Sequence, residues 1–335
     1  MKREYPIDIV IIWVDGGDPR WLRQKRKYEK DKNDESNSLI RYRDWGQLKY
    51  VFRGIDKFMP WINKVFFVTC GQTPEWLNVN HEKIVLVNHA DFIPETNLPT
   101  FSSSAIEMYL NRIPGLSEHF IYFNDDMFVV NKVSPSDFFK NGLPRDRFVE
   151  SAIVTNGKKD DMFSKMLLCD IDIINNHFDK QSVIKNNFWK IFNVKNGLRG
   201  NLRNLFFLQY SRFSTFENDH VCSSFLKSQI EQVWNNYKDE LLRTGGNKFR
   251  DPQDVNQYVY KYWQLCSGNF TPRTKGFSKY LTVNDVSRVV KVITGRKYKA
   301  ICINDSDAVK DFNKVKKAIN NAFEVKFNTK SGFEL

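Results

Sequence analysis

The chain has 335 residues, enough for one large α/β domain or two smaller ones with a proper core. Apolar residues at 41% and aromatics at 15%, led by 28 Phe, exclude disorder for most of the chain, and no apolar run approaches the ~20 residues of a membrane-spanning helix. The net charge of +12 favours anionic partners, whether nucleic acid, lipid headgroups or phosphorylated substrates.

The start, "MKREYPIDIVIIWV", runs from a charged front straight into a strand and reads as mature protein, not a signal peptide. "IDIVIIWV" (7–14) is continuous and β-rich, the pattern of a strand buried on both faces. It ends in "DGGDP", a turn cluster with two acids. "RWLRQKRKYEKDK" (20–32) is a basic run, and a second basic stretch covers 273–299. Either run is also what a solvated helix face looks like. From Asp44 the apolar residues recur at helical spacing through Met59, with Asp44 as N-cap and Pro60 beyond the end.

"KVFFVTC" (64–70) and "KIVLVNH" (83–89) are further buried strands. "SSSAIEMYLNRI" (102–113) opens with Ser104-x-x-Glu107, the spacing of a capping box. "FIYFN" (120–124) is a fourth strand, and Asp125 and Asp126 stand at its C-terminal end. A turn needs one Asp at most, so paired acids there point to a cation or a phosphate. Strands alternating with helical stretches predict βαβ units and a mostly parallel, Rossmann-like α/β sheet. Ligands of such sheets bind beyond the carboxyl ends of the strands. "DGGDP" and "NDD" both follow strands and are expected to line one crevice.

The second half reads as more helical. Residues 219–246 read as one long helix closed by a Gly pair. Residues 250–265 read as another, with Asp251 as N-cap and Pro252 at the first helical position. "KAICIND" (299–305) is a late strand ending in an acid, and a basic helix from 309 leads to a loose end. The expected organisation is a 1–130 nucleotide-sugar-binding half, a 131–215 helical insertion, a 216–310 part completing the site, and a 311–335 basic tail. The five Cys residues (70, 169, 222, 266 and 302) are scattered and form no CxxC pair. This favours reduced, cytosolic thiols over a zinc ribbon or a disulfide scaffold.

Four stretches carry a family resemblance: "IDIVIIWVDGGDPRW", "RYRDWGQLKYVFRGIDKFMPWINKVFFVTCGQTPEWLN", "NLPTFSSSAIEMYLNRIPGLSEHFIYFNDDMFV" and "ICIND". Together they resemble the Stealth proteins, bacterial capsule and surface-polysaccharide phosphosugar transferases related to the catalytic subunit of the animal N-acetylglucosamine-1-phosphotransferase. The resemblance is dense over 7–130 and thinner over 216–266. It implies a nucleotide-sugar transferase fold and transfer of a sugar 1-phosphate from a UDP-sugar to a saccharide hydroxyl. UMP would leave and a phosphodiester would form.

By the same resemblance, Asp125 and Asp126 are catalytic, with Asp126 and Asp305 holding Mg2+ or Mn2+. Asp15, Gly16, Asp18, Arg43, Asp44, Ser103 and Glu107 would bind the donor. His220 would be the general base, since imidazole titrates near neutral pH, and Arg250 would stabilise phosphate charge. The family's His-x-Pro reads His-Val-Cys here, with Cys222 in place of Pro. A lipid-linked acceptor would suit a cytoplasmic, basic protein visiting the anionic inner membrane face. Two rival readings are an ordinary metal-dependent glycosyltransferase releasing UDP and a basic nucleic-acid-binding protein. Against the second, the chain has no RRM, KH, helix-turn-helix or zinc signature, and no nucleic acid is expected as a partner.

Overall fold

The apolar run near the start forms the centre of a sheet. In the computed structural model, which describes residues 5–29, 42–155, 157 and 161–335, β1 (Ile7–Ile12) is buried along its whole length. α1 (Pro19–Tyr28) and α2 (Leu48–Phe58) follow, then β2 (Val65–Thr69), β3 (Ile84–Asn88), α3 (Ser103–Met108) and β4 (His119–Asn124). Next come β5 (Met127–Val129), α4 (Pro135–Phe138), β6 (Phe139–Lys140) and β7 (Leu143–Asp146). Three helices lie beyond: α5 (Met162–His177), α6 (Lys180–Ile191) and α7 (Gly197–Phe207). β8 (Ser223–Leu226) precedes α8 (Lys227–Asn236), α9 (Lys238–Gly245) and α10 (Tyr258–Cys266). The chain continues through β9 (Thr271–Pro272), β10 (Ser278–Thr282), α11 (Val286–Thr294), β11 (Ala300–Asn304) and α12 (Phe312–Lys326).

The main sheet has the order β3-β2-β1-β4-β8. β1 pairs in parallel with β2 and with β4, β2 pairs in parallel with β3, and β8 closes the edge antiparallel to β4. This is the mostly parallel α/β sheet the strand pattern predicts. From β1 the order runs outward to β2 on one side and to β4 on the other. The carboxyl ends of β1 and β4 therefore flank a topological switch point, where open α/β sheets bind ligands. The register pairs Ile12 with Asn124, so "DGGD" and "NDD" leave the sheet side by side.

Both faces are covered. Ile7, Ile9 and Ile11 enter one apolar cluster with α2, α11 and α12, whereas Val10 and Ile12 enter the other with α3, α8 and α10. The period-two split of an unbroken apolar strand over two cores is why β1 shows no polar alternation. Its one charge, Asp8, is fully buried but satisfied by Asn63 Nδ2 (2.8 Å), the Lys64 N–H (3.1 Å) and the Ser117 N–H (2.9 Å). A smaller sheet, β10-β11-β5, sets Cys302 opposite Met127 and so brings β11 to the acids that end β4.

Several local expectations are corrected. The stretch 219–246 is not one helix: Ser223–Leu226 is a fully buried strand on β4, and Tyr237 (φ −134°) separates α8 from α9. Pairing with the sheet edge outweighs the helical stripe there. Asp251 and Pro252 do not start a helix; Asp254 closes a turn back onto the Asp251 N–H at 2.9 Å, and α10 begins at Tyr258. Asp44 does not cap α2, whose N-cap is Gln47; its carboxylate accepts from the Gly46 N–H at 2.7 Å instead. Nor is there a Ser104–Glu107 capping box: α3 is capped by Ser102, and Glu107 points elsewhere. The end of the chain is not loose. Phe333 is buried, the Asn78 N–H donates to its carbonyl, and Arg53 on α2 forks onto Glu334 at 2.7 and 2.8 Å. Residues 30–32 of the first basic run lie outside the described residues.

Candidate active site

The turn after β1 is built by Gln72. Its Oε1 accepts from the Asp15 N–H at 2.8 Å, and its Nε2 donates to Asp18 Oδ2 at 3.1 Å. Asp15 Oδ1 accepts from the Gly17 N–H at 2.8 Å. Asp18 Oδ1 accepts from the Arg20 N–H at 2.7 Å and so caps α1. The hydrogen bond from Gln72, then that from Arg20, holds the Asp18 carboxyl below its ordinary range. Gly16 is required for packing: a Cβ there would lie 2.1 Å from the Tyr42 carbonyl oxygen. Its small size thus admits a neighbouring backbone.

Asp125 and Asp126 occupy the turn between β4 and β5. The Asp126 carbonyl accepts from the Ile303 N–H at 3.0 Å, which ties the turn to β11. Asp126 Oδ2 accepts from the Cys302 thiol at 3.2 Å, while Oδ1 is buried and has no hydrogen-bond partner among the described residues. Asp125 is open to water, yet the protein packed around it, then the Asp126 charge and that of Asp44, push its carboxyl up. Like charges concentrated at a strand end are what a cation relieves.

Arg43 and Asp305 meet across 262 residues, with guanidinium-to-carboxylate distances of 2.6 and 3.0 Å. Trp45 Nε1 adds a third bond to Asp305 at 2.9 Å, and the Ser306 N–H a fourth at 2.6 Å. Arg43 also lies over the Phe312 ring at 4.5 Å. Asp305 is therefore engaged by Arg43. Among the described residues, Asp126, His220 and Cys302 form a group whose ligand atoms all lie within 4.8 Å of one another.

The remaining residues lie on α3, before β8 and between α9 and α10. Arg250 Nη2 donates to Ser103 Oγ at 2.8 Å, at the start of α3. Glu107, one turn on, accepts from Tyr122 Oη at 2.8 Å and from the Gln257 N–H at 3.0 Å. Burial pushes its carboxyl up against those bonds and the Arg250 charge. Glu107 thus ties α3 to β4 and to the entry of α10. His220 has a left-handed backbone, φ +43°, uncommon outside glycine and held only where surrounding contacts demand it. Its Nδ1 lies 2.5 Å from Tyr258 Oη, and Tyr258 is buried. Burial lowers the His220 pKa, with the Asp126 charge pulling the other way.

Comparison with known proteins gives the family. Conserved region 1 of the Stealth proteins matches residues 5–33, and conserved region 2 matches residues 41–146. A capsular polysaccharide phosphotransferase, WcwK of Streptococcus pneumoniae, is 41% identical over 100% of this chain and 99% of its own length. The chain belongs to the Stealth family. An exopolysaccharide phosphotransferase, cps2G of Lactiplantibacillus plantarum, is 38% identical over 98% of this Stealth chain and 96% of its own. Similarity to these relatives runs through 131–215 and 270–298, where no motif is legible. Among solved structures, the galactosyltransferase LgtC aligns over 94% of this Stealth protein and 95% of its own chain at 10% identity and a TM-score of 0.42, a remote likeness.

The oxygen donors that a hard divalent cation would take at this Stealth site are those of Asp125 and Asp126. Asp126 offers a buried, unpartnered oxygen and Asp125 an exposed carboxylate beside it, the all-oxygen chemistry that Mg2+ or Mn2+ takes. Burial, then the Asp126 charge, push the Cys302 thiol well above its usual range, in keeping with its donation to Asp126. Three residues here are not among the site groups expected from the sequence: Gln72, Tyr258 and Cys302. Tyr258 stands in an aromatic run that reads as core. Cys302 had one available clue, its place in a strand three residues before Asp305.

Proposed function

We propose that this Stealth protein transfers hexose 1-phosphate or N-acetylhexosamine 1-phosphate from a UDP-sugar to a saccharide hydroxyl, releasing UMP. The observation that carries the reading is the approach of His220 to Asp126 beyond the carboxyl end of β4, with the Arg250 charge acting on the same imidazole. The acceptor oxygen attacks the phosphorus nearest the sugar. The bond from that phosphorus to the bridging oxygen breaks, UMP departs with the electron pair, and the sugar–phosphate bond is kept.

Each residue then has a task its surroundings support. His220 has Nδ1 engaged by Tyr258, so Nε2 is the nitrogen left to take the acceptor proton. For that, the imidazole proton must reside on Nδ1 and point at Tyr258 Oη. Arg250, held by Ser103, faces the phosphoryl oxygens whose charge changes during transfer. Asp125 and Asp126 would hold Mg2+ or Mn2+, which neutralises diphosphate charge when bound. Arg43, braced by Asp305, and Asp44 border the donor side, with Asp15 in the facing turn.

The acceptor is read as a lipid-linked saccharide and the setting as cytoplasmic. Five free cysteines support a reducing compartment, and among the described residues no helix is long and apolar enough to cross a membrane. The test is incubation of the purified protein with a panel of UDP-sugars and an oligosaccharide acceptor, with identification of the nucleotide released. UMP supports the proposal; UDP assigns the site to plain glycosyl transfer.

A further inference from the structure

The helices between β7 and β8 present a surface that the catalytic reading does not use. From Lys180 to Phe216 the sequence has seven Lys and Arg residues and no Asp or Glu. One of the seven, Lys180, is buried on Glu150 at 2.8 Å; Lys185, Arg199, Arg203 and Arg212 are exposed. Interleaved with them are large apolar side chains turned to solvent. Trp189 is 80% exposed, Val194 88% and Leu198 77%, and Leu202, Leu205 and Phe206 are exposed as well.

On α7 the exposed apolar positions 198, 202, 205 and 206 fall at i, i+4, i+7 and i+8, a single stripe, with Arg199 and Arg203 beside it. The opposite face is pinned down. Asn204 accepts from the Glu150 N–H at 2.8 Å and donates to the Phe148 carbonyl at 2.9 Å. At Gly200 a Cβ would already come within 3.2 Å of Val149. The helix is therefore firmly seated with its apolar stripe facing outward. Arg203 reaches Glu217, three residues before His220, which links this surface to the segment carrying the base.

An exposed apolar stripe with Trp and Phe, flanked by basic residues and with no acid between Lys180 and Phe216, has the chemistry of a helix lying in a membrane interface. The basic flank complements an anionic leaflet, at which juxtamembrane Lys and Arg are attracted individually. The all-basic composition disfavours a second copy of this chain as the occupant, because like charges would face each other across a self-interface. We propose that the α6–α7 face docks this protein on an anionic phospholipid surface, with Trp189, Leu198, Leu202 and Phe206 inserted at headgroup level. It rests on the reading of a membrane-borne acceptor, which such docking would bring within reach of the crevice.

The test is flotation of the full chain with vesicles of phosphatidylglycerol and phosphatidylcholine, against phosphatidylcholine alone, at low and high salt. The wild type should float with the anionic vesicles and bind the neutral ones on the order of tenfold more weakly. Leu198→Ser with Leu202→Ser and Phe206→Ser, and separately Lys185→Glu with Arg199→Glu, should each weaken anionic-vesicle binding on the order of tenfold or more. Both sets should keep the wild-type melting temperature and turnover on a soluble acceptor. Binding unchanged by either set, or no wild-type binding, overturns the proposal. So does a wild-type dimer in light scattering that the same variants split, which would assign the face to a second copy. Vesicle binding needs no sugar, so it can fail or succeed independently of the nucleotide released.

Discussion

Tyr258 Oη stands 2.5 Å from Nδ1 of His220, buried and 38 residues away in the chain. That contact decides which imidazole nitrogen is available. A base at Nε2 requires the proton on Nδ1, and a hydrogen-bonding partner at Nδ1 is the usual means of fixing tautomer and ring orientation. Tyr258→Phe keeps the ring that packs in the core but removes the oxygen. Turnover should fall roughly tenfold, the worth of about one hydrogen bond, with donor KM little changed. A variant that loses melting temperature instead of kcat would make the contact structural.

Replacing the base itself should cost more. His220→Ala is expected to lower kcat by ~10²–10⁴-fold. Burial lowers the His220 pKa, so neutral imidazole, the active form, persists to lower pH than for an exposed histidine. The acid limb of kcat should therefore have its midpoint below ~6.5, the ordinary imidazole value. It should vanish from the residual activity of His220→Ala. An acid limb that survives the substitution places the base elsewhere.

Asp125→Asn and Asp126→Asn should each lower turnover strongly while circular dichroism and melting stay near wild type. Asp126 Oδ1 has no partner to lose and Asp125 is exposed. Excess chelator should abolish turnover, and Mg2+ or Mn2+ should restore it. Full activity in chelator would dismiss the metal from the reaction.

How far the sequence reached differs along the chain. The strands that converge on the crevice were legible, because a strand buried on both faces writes itself as an unbroken apolar run. The acids at their ends were legible for the same reason, since a charge after such a run has no packing explanation. Ser223–Leu226 was misread because a short edge strand carries too few residues to show its own period. Tyr258 was hidden by its aromatic neighbours, and Glu107 by a spacing that mimics a cap. The surface of α6 and α7 is not written as a basic run, because its Lys and Arg residues stand singly among apolar and amide side chains. The decisive signal was the absence of acids over 180–216, which a count of positive charge alone does not show.

The final residues contribute to stability away from the crevice. Arg53 and Glu334 form a buried pair with side-chain exposures of 8% and 4%. Burial pushes the Glu334 carboxyl up, but the bonds from Arg53 and the Ser331 N–H outweigh it and hold the carboxyl below its usual range. A depressed folded-state pKa gives stability that is present above the unfolded value and lost as pH falls through the folded one. Glu334→Gln should destabilise by about 1–3 kcal/mol at neutral pH, the cost of losing charged hydrogen bonds while Arg53 keeps Glu324 as a partner at 3.1 Å. The gap to wild type should narrow in urea melts below about pH 4.5, near the unfolded carboxyl value. A constant gap across pH would show that the charge is not what holds the end in place.

The central claim is that the phosphate travels with the sugar. A UDP-sugar labelled with ³²P at the phosphate next to the sugar distinguishes the two chemistries in one reaction. Incubated with the protein and an acceptor oligosaccharide, it should yield labelled saccharide product and unlabelled UMP. Label recovered in UDP, with an unlabelled product that has gained the sugar, would contradict the account.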